Sequence, residues 1–253
     1  MKGVIFAAGL GTRLYPLTKD KPKALVSVAG RSMLDTTLRK FEAAGIHEVV
    51  VNIHAFADKV EAELAEWVLE HPGMTIRVSD ERDLLLETGG GLKKMQHWLY
   101  QEPFLVHNVD VLTDINLSSL VEADERFAAE HVASEPKEGL HLATLAVRKT
   151  ESDRYFLFND EGLLCGWENV KTGEKKLSRP HENSLHRFGF TGIHLIHPAL
   201  FNLMSETGVF SITDVYLRLA ARHTIRLFDV TDRRWFDIGT PEQLQAAESA
   251  ALI

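Results

Sequence analysis

Gly9 and Gly11 frame a short loop, Gly9-Leu10-Gly11-Thr12-Arg13, directly after the apolar run Val4-Ile5-Phe6-Ala7-Ala8. Arg13, Lys19, Lys21 and Lys23 crowd the residues around and after it. Two glycines remove the Cβ atoms that would hold a ligand away and permit positive φ, so backbone N–H groups can approach phosphate oxygens. The four cations gather in a chain whose formal net charge is -8, so the positive charge is local and suits a small polyphosphate rather than a nucleic acid. A dinucleotide fingerprint needs a third glycine where Leu14 stands, and a P-loop needs Gly-Lys-Ser/Thr, which is absent from the sequence. Asp110 follows Phe104-Leu105-Val106-His107-Asn108-Val109, and Asp237 follows Trp235-Phe236. Carboxylates at such strand ends can meet the hard cation that a triphosphate needs for charge neutralisation.

Those groups must be carried by regular elements. Short Val/Ile-rich runs at 4–8, 48–53, 75–79 and 104–109 alternate with amphipathic helical stretches near 32–44, 58–70 and 91–99, which predicts an α/β fold with a parallel sheet. In the first helix Met33, Leu34, Thr37, Leu38 and Phe41 mark the inward face, Ser32 and Asp35 form a capping pair, and Gly45 is the stop. The second half reads as a mixed sheet: strands at 140–147, 155–158, 163–167 and 188–196, with a hairpin turn at Asn159-Asp160-Glu161-Gly162. Residues 168–183, rich in Lys, Gly, Glu and Asn, read as an exposed loop able to cover an acceptor substrate. Further helices are expected at 213–221 and from Pro241 to the end, with Thr240 before the proline. Open α/β sheets bind ligands outside the carboxyl ends of their strands, where these motifs fall.

Several chemistries are excluded or disfavoured. The single cysteine, Cys165, permits no intramolecular disulfide and reads as packing. The 12 histidines form no His-Glu-x-x-His pair and no Cys/His cluster of metal-binding spacing, and His107 reads as a packed neighbour of Asn108. No Gly-x-Ser-x-Gly elbow supplies a hydrolase nucleophile. The Glu/Ala-rich runs 61–66 and 122–130 read as solvated helix faces. No apolar run reaches membrane-spanning length and no secretory signal pattern is present, so a cytoplasmic protein with no membrane or nucleic-acid partner is expected, as a monomer or small homo-oligomer.

The opening motif, continued by Leu14-Tyr15-Pro16-Leu17-Thr18 and Pro22-Lys23, resembles the signature of the nucleoside-triphosphate:sugar-1-phosphate nucleotidyltransferases. Further matches at Leu86-Glu87-Thr88-Gly89-Gly90-Gly91, Asn108-Val109-Asp110 and Phe236-Asp237-Ile238-Gly239-Thr240 spread the likeness over nearly the whole chain. The resemblance implies a single nucleotidyltransferase domain over 1–253 with a Rossmann-like, mixed but mainly parallel sheet flanked by helices. Residues 1–112 would form its nucleotide-binding part; 113–253, with a small β-hairpin and loop, its sugar-phosphate-binding part. It implies Mg²⁺ as cofactor on Asp110 and Asp237, and Arg13, Lys23 and Asp110 as the catalytic groups. Ala8, Gly9, Leu10, Gly11, Thr12, Glu87, Thr88, Gly89, Gly90 and Asn108 would contact the nucleotide, with main-chain groups of the triple glycine reading the base. Glu168 and Thr191 would face the sugar; Lys171 is either a substitute for a lysine the related proteins carry beside that glutamate or a solvated loop lysine. Leu86 to Gly91 is similar to the branch acting on N-acetylmuramate 1-phosphate with UTP. Mannose-1-phosphate guanylyltransferases using GTP share related sequence, and a nucleotide-sensing homologue without turnover is the remaining alternative.

Overall fold

The computed structural model describes residues 1–133, 139–180 and 184–250, which cluster into two compact units. The first unit comprises Met1–Leu86, Phe104–Leu117 and Arg233–Ile253, and the second Glu87–Pro103 and Ser118–Asp232. Both units are therefore built from segments far apart in sequence. The expected division between residues 112 and 113 follows the chain, whereas this division returns 233–253 to the first unit and assigns 87–103 to the second.

In the first unit β1 (Lys2–Phe6), β4 (Glu48–Ile53), β5 (Thr75–Asp80) and β6 (Phe104–Asn108) form an all-parallel array in the order β6-β1-β4-β5. Val49, Val50, Val51 and Ile53 of β4 are all buried, the continuous apolar run of a strand covered on both faces. Two short ladders accompany it: β2 (Ser27–Val28) with β3 (Arg31–Ser32), and β7 (Val111–Thr113) with β14 (Trp235–Asp237). The helices are α1 (Met33–Ala43), α2 (Ala57–Glu70) and α7 (Pro241–Ser249). Helix α1 begins as its sequence predicts: the Ser32 side chain accepts from Asp35 N at 3.0 Å, and the five inward residues are buried. Gly45 follows it with φ 74°, the left-handed geometry of a helix stop. Gly3 is required by packing, since a Cβ there would lie 2.7 Å from Phe41 Cε2 and push α1 off β1. Thr240 caps α7 by accepting from Gln243 N, with Pro241 in the first turn. Residues 251–253, the last of the helix expected to run to the end, lie outside the described residues.

The second unit carries α3 (Glu87–Leu99), α4 (Leu117–Ala133), β8 (His141–Arg148), β9 (Arg154–Phe158), β10 (Leu164–Asn169), β11 (Glu174–Leu177), β12 (His186–Ile196), α5 (Ala199–Leu203), α6 (Ile212–Leu219) and β13 (Thr224–Asp229). Its strands run β11-β10-β9-β12-β8-β13, antiparallel except for β13 beside β8, which gives the mixed sheet the sequence predicts. The β9–β10 hairpin closes through Asn159, whose Oδ1 accepts from Glu161 N and Leu163 N, and through Gly162 at φ 74°.

Two readings change. The segment 168–183 is not one loop: β10 runs to Asn169, a turn with Gly173 at φ 77° follows, and β11 pairs back on β10, with residues 181–183 outside the described set. The run 122–130 is not a uniformly solvated face, because Asp124 is 2% exposed. A helix turns one residue in three or four inward, and a carboxylate placed there escapes notice unless its partners, distant in sequence, are known. Among the described residues no helix is long and apolar enough to cross a membrane.

Candidate active site

Within the first unit, β1 delivers Ala7 and Ala8 into the glycine loop, and one buried side chain fixes where they go. Asn52 Oδ1, at the end of β4, accepts from Ala7 N at 2.7 Å and Ala8 N at 3.3 Å. Its amide nitrogen donates to Glu81 Oε1 at 2.9 Å, while Glu81 Oε2 accepts from Leu86 N at 3.0 Å. Asn52 and Glu81 are 3% and 1% exposed, so this relay is a rigid shelf beneath the loop. Sequence reasoning missed both. The available signal was a polar residue inside the apolar run Val49-Val50-Val51-Asn52-Ile53, which a fully covered strand tolerates only with partners.

Beyond that shelf, among the described residues, the N–H groups of Gly9, Leu10, Gly11 and Thr12 meet no protein acceptor. Gly11 has φ 64°, and a Cβ on it would lie 2.9 Å from Lys23 Cβ. Successive outward N–H groups around a left-handed residue make an anion cradle. Leu10 is 51% exposed, Thr12 and Arg13 are exposed, and no atom approaches within 4 Å of a Cβ built on Gly9. Lys19 is exposed and Lys21 half-buried.

Charged groups close around this loop. Lys23 is 7% exposed, and its Nζ lies 2.5 Å from Asp110 Oδ2. Arg13 lies over Gly239, where a Cβ would come within 2.8 Å of Nη2, and Gly239 N donates to Gln243 Oε1 at 2.9 Å. The β7–β14 ladder explains how Asp237 reaches Asp110 although 126 residues separate them: Asp237 pairs with Val111, and Ile238 N donates to Asp110 O at 2.8 Å. Burial first, and the Asp110 charge second, push the Asp237 carboxyl above its usual range, against the pull of Lys23 and Arg13. Arg13, Lys23, Asp110 and Asp237 therefore share one locality. Asn108, half-buried at the end of β6, precedes Asp110 by one turn residue.

His107 joins none of this chemistry. Burial depresses its pKa to about 3, its Nδ1 lies 2.8 Å from Asn108 O, and its ring meets Phe41 edge-on at 6.2 Å. It is neutral and packed.

The remaining candidates belong to the second unit. Gly89 N and Gly90 N both donate to Phe210 O, at 2.9 and 3.2 Å, and a Cβ on Gly89 would sit 2.5 Å from the Phe210 ring. Two of the three amides expected to read a base are thus bonded within the protein, and the missing Cβ of Gly89 lets α3 approach Phe210. Thr88 Oγ1 accepts from Ile212 N at 3.0 Å, while Glu87 is exposed with φ 57°. Glu168 is 8% exposed and accepts from Arg187 Nε, whose guanidinium lies over the Tyr155 ring. Lys171 is exposed in the turn, 3.8 Å from Asp153. Thr191 is 1% exposed and its hydroxyl donates to Ala146 O at 2.7 Å, which anchors β12 to β8 at an irregularity of their ladder. Arg187 is a further residue that sequence reasoning passed over, since only the β9–β10–β12 pairing brings it to Glu168.

Comparison with known proteins places the chain in a family. A family profile described as nucleotidyl transferase matches residues 2–252. An N-acetylmuramate alpha-1-phosphate uridylyltransferase from Caulobacter vibrioides is 32% identical over 247 residues, covering 97% of this chain and 95% of that protein. A mannose-1-phosphate guanyltransferase from Yarrowia lipolytica is 28% identical over 244 residues, 96% of this chain but 61% of that protein. Among solved structures, a UDP-glucose pyrophosphorylase complexed with UDP-glucose superposes with TM-score 0.73 at 18% identity, covering 99% of this chain and 98% of that one. At that identity the likeness speaks for the fold, which is the mixed sheet with flanking helices described above.

Proposed function

This chain belongs to the nucleotidyl transferase family and is a sugar-1-phosphate nucleotidyltransferase; from that premise we propose that it transfers uridylyl from UTP to an amino-sugar 1-phosphate, N-acetylmuramate 1-phosphate being the favoured acceptor. The supporting observation is the convergence of Arg13, Lys23, Asp110 and Asp237 on a loop whose amides meet no acceptor among the described residues. Guanylyl transfer to mannose 1-phosphate is the second reading, carried by the likeness to the guanyltransferase.

In the proposed reaction an oxygen of the sugar phosphate forms a bond to the α-phosphorus of the triphosphate while the bond from that phosphorus to the β-phosphate oxygen breaks, releasing pyrophosphate. The nucleophile is already an anion, so the protein has no proton to remove. Its work is to bring two repelling anions together and neutralise charge on the leaving group. The amides of Gly9 to Thr12 and the Arg13 guanidinium hold the β- and γ-phosphates. Lys23, nearly buried, presents one fixed charge to the α-phosphate and the incoming phosphate. Ala8 and Asn108 are assigned to the nucleoside, as are Glu87, Thr88, Gly89 and Gly90, the two glycines through shape rather than amide donation. Glu168 accepts from sugar hydroxyls, and Thr191 holds β12 in register with β8.

Asp110 and Asp237 fit a magnesium ion: the pair offers only carboxylate oxygens, and a carboxyl whose ionisation is opposed by burial and by a like neighbour gains from a divalent cation. Bound there, the ion would supply charge neutralisation at the phosphates.

The test is pyrophosphate release from purified protein with each of UTP, GTP, CTP, ATP and dTTP, against N-acetylmuramate, N-acetylglucosamine, glucose and mannose 1-phosphates. Highest kcat/KM with UTP and N-acetylmuramate 1-phosphate is expected. Highest kcat/KM with GTP and mannose 1-phosphate overturns the uridylyl reading, and nucleotide binding without turnover on any pair favours a sensing role.

A further inference from the structure

Asp124 of α4, His141 at the start of β8 and His197 just after β12 meet in the interior of the second unit, 17 and 73 residues from Asp124 along the chain. Asp124 Oδ1 lies 2.8 Å from His141 Nε2 and accepts from Thr144 Oγ1 at 2.6 Å; Oδ2 lies 2.8 Å from His197 Nε2. The three ligating atoms lie within 4.8 Å of one another. The side chains of Asp124 and His141 are each 3% exposed and that of His197 is 20% exposed, which leaves one approach from solvent. His141 Nδ1 has no hydrogen-bond partner, so this imidazole is held in the core solely through the nitrogen that faces the cluster.

The hydrogen bonds of the cluster also fix the state of its carboxylate. Burial opposes ionisation of Asp124, but the hydrogen bonds from His141 and His197 outweigh it and hold the carboxyl far below the usual carboxylate range. Its ion-pair partners among the described residues are these two histidines, with no lysine or arginine. The carboxylate is therefore ionised within the cluster, as a metal ligand has to be. Two imidazole nitrogens and one carboxylate oxygen are a zinc-type donor set. Tetrahedral bonds of about 2.0–2.1 Å need donors about 3.3 Å apart; the two 2.8 Å pairs run to different oxygens of Asp124 and the three ligating atoms lie within 4.8 Å of one another, so side-chain rotation, without backbone movement, has to bring one oxygen and both nitrogens to that spacing.

We propose that Asp124, His141 and His197 bind a divalent transition-metal ion of zinc-like chemistry, with Thr144 Oγ1 or a water on the exposed side of His197 as fourth ligand. The ion staples α4 to β8 and β12. It is a structural site, built from residues other than those assigned to the nucleotidyl chemistry. The sequence conceals it because its ligands come from three separate elements with no metal-binding spacing.

The experiment titrates metal-stripped full-length protein with Zn²⁺, and with Co²⁺ as a visible-absorption probe, in excess Mg²⁺ to occupy all-oxygen sites. One equivalent is expected to bind, with tetrahedral Co²⁺ bands and a Tm rise of about 5 °C or more at saturating Zn²⁺. His197→Gln, at the partly exposed ligand, is expected to weaken binding by at least about 10²-fold and abolish the Tm rise, while the Asp110→Asn/Asp237→Asn double variant keeps both. Absence of binding, or equal binding by wild type and His197→Gln, overturns the proposal and leaves a hydrogen-bonded node. Loss of the equivalent in the double variant overturns it too, by locating the ion elsewhere.

Discussion

At the scale of single residues, the proposed chemistry depends on charges held where they would otherwise repel. Lys23 offers an ammonium that is already desolvated and already aimed, so Lys23→Ala is expected to lower turnover by about 10² or more, as for loss of one preorganised donor; steady-state pyrophosphate release measures it. Asp237 makes the opposite statement about stability. Because its folded pKa is raised, it contributes stability below its unfolded pKa of about 4 that is lost as pH rises through the folded value. Asp237→Asn is therefore expected to melt higher than wild type at pH 8 in a chelator, with the gap narrowing toward pH 4, and to lose turnover. Melting curves at the two pH values check the sign. Gly239→Ala separates the two effects: the new Cβ meets the far end of Arg13, 2.8 Å away, which can move at little cost to the fold. We expect a Tm within about 2 °C of wild type but a loss of roughly 10-fold to 10² in kcat/KM, since misplacement by an ångström suffices.

At the scale of elements, the site is placed by two devices. The β7–β14 ladder puts Asp237 beside Asp110 through main-chain pairing, so it tolerates side-chain change on its outer face. The Asn52–Glu81 relay fixes the loop entry, and it depends on a single amide with no substitute. Asn52→Ala strips two backbone N–H groups and a buried carboxylate of their partner. A loss of about 2–4 kcal/mol is expected, read from the urea midpoint, together with a raised KM for the nucleotide and a smaller change in KM for the sugar phosphate. Equal effects on both would mean the relay supports the unit as a whole rather than the loop.

At the scale of the whole molecule, the chain forms two units whose segments interleave along the sequence. Stability against acid is expected to come from the second. The Asp124 carboxyl is depressed, so its contribution is present above the unfolded pKa of about 4 and is lost as pH falls below it. Wild type should lose more Tm between pH 5 and about 3 than Asp124→Asn, which starts lower and falls less steeply; calorimetry across that range in a chelator decides it.

Local signals revealed much of this protein. The strand–helix alternation, the Ser32 and Thr240 caps and the Gly45 stop follow from periodicity and backbone chemistry, which act within a few residues. The loop's cations and glycines were legible for the same reason, since what they do to a phosphate depends on their own types and spacing. Tertiary structure alone decided which distant groups meet. Asn52 and Glu81 under the loop, Arg187 on Glu168, Phe210 taking the Gly89 and Gly90 amides, and Asp124 between two histidines are long-range pairings. A strand ladder or a helix face creates each of them, and no rule of spacing encodes a partner that folding brings from dozens of residues away.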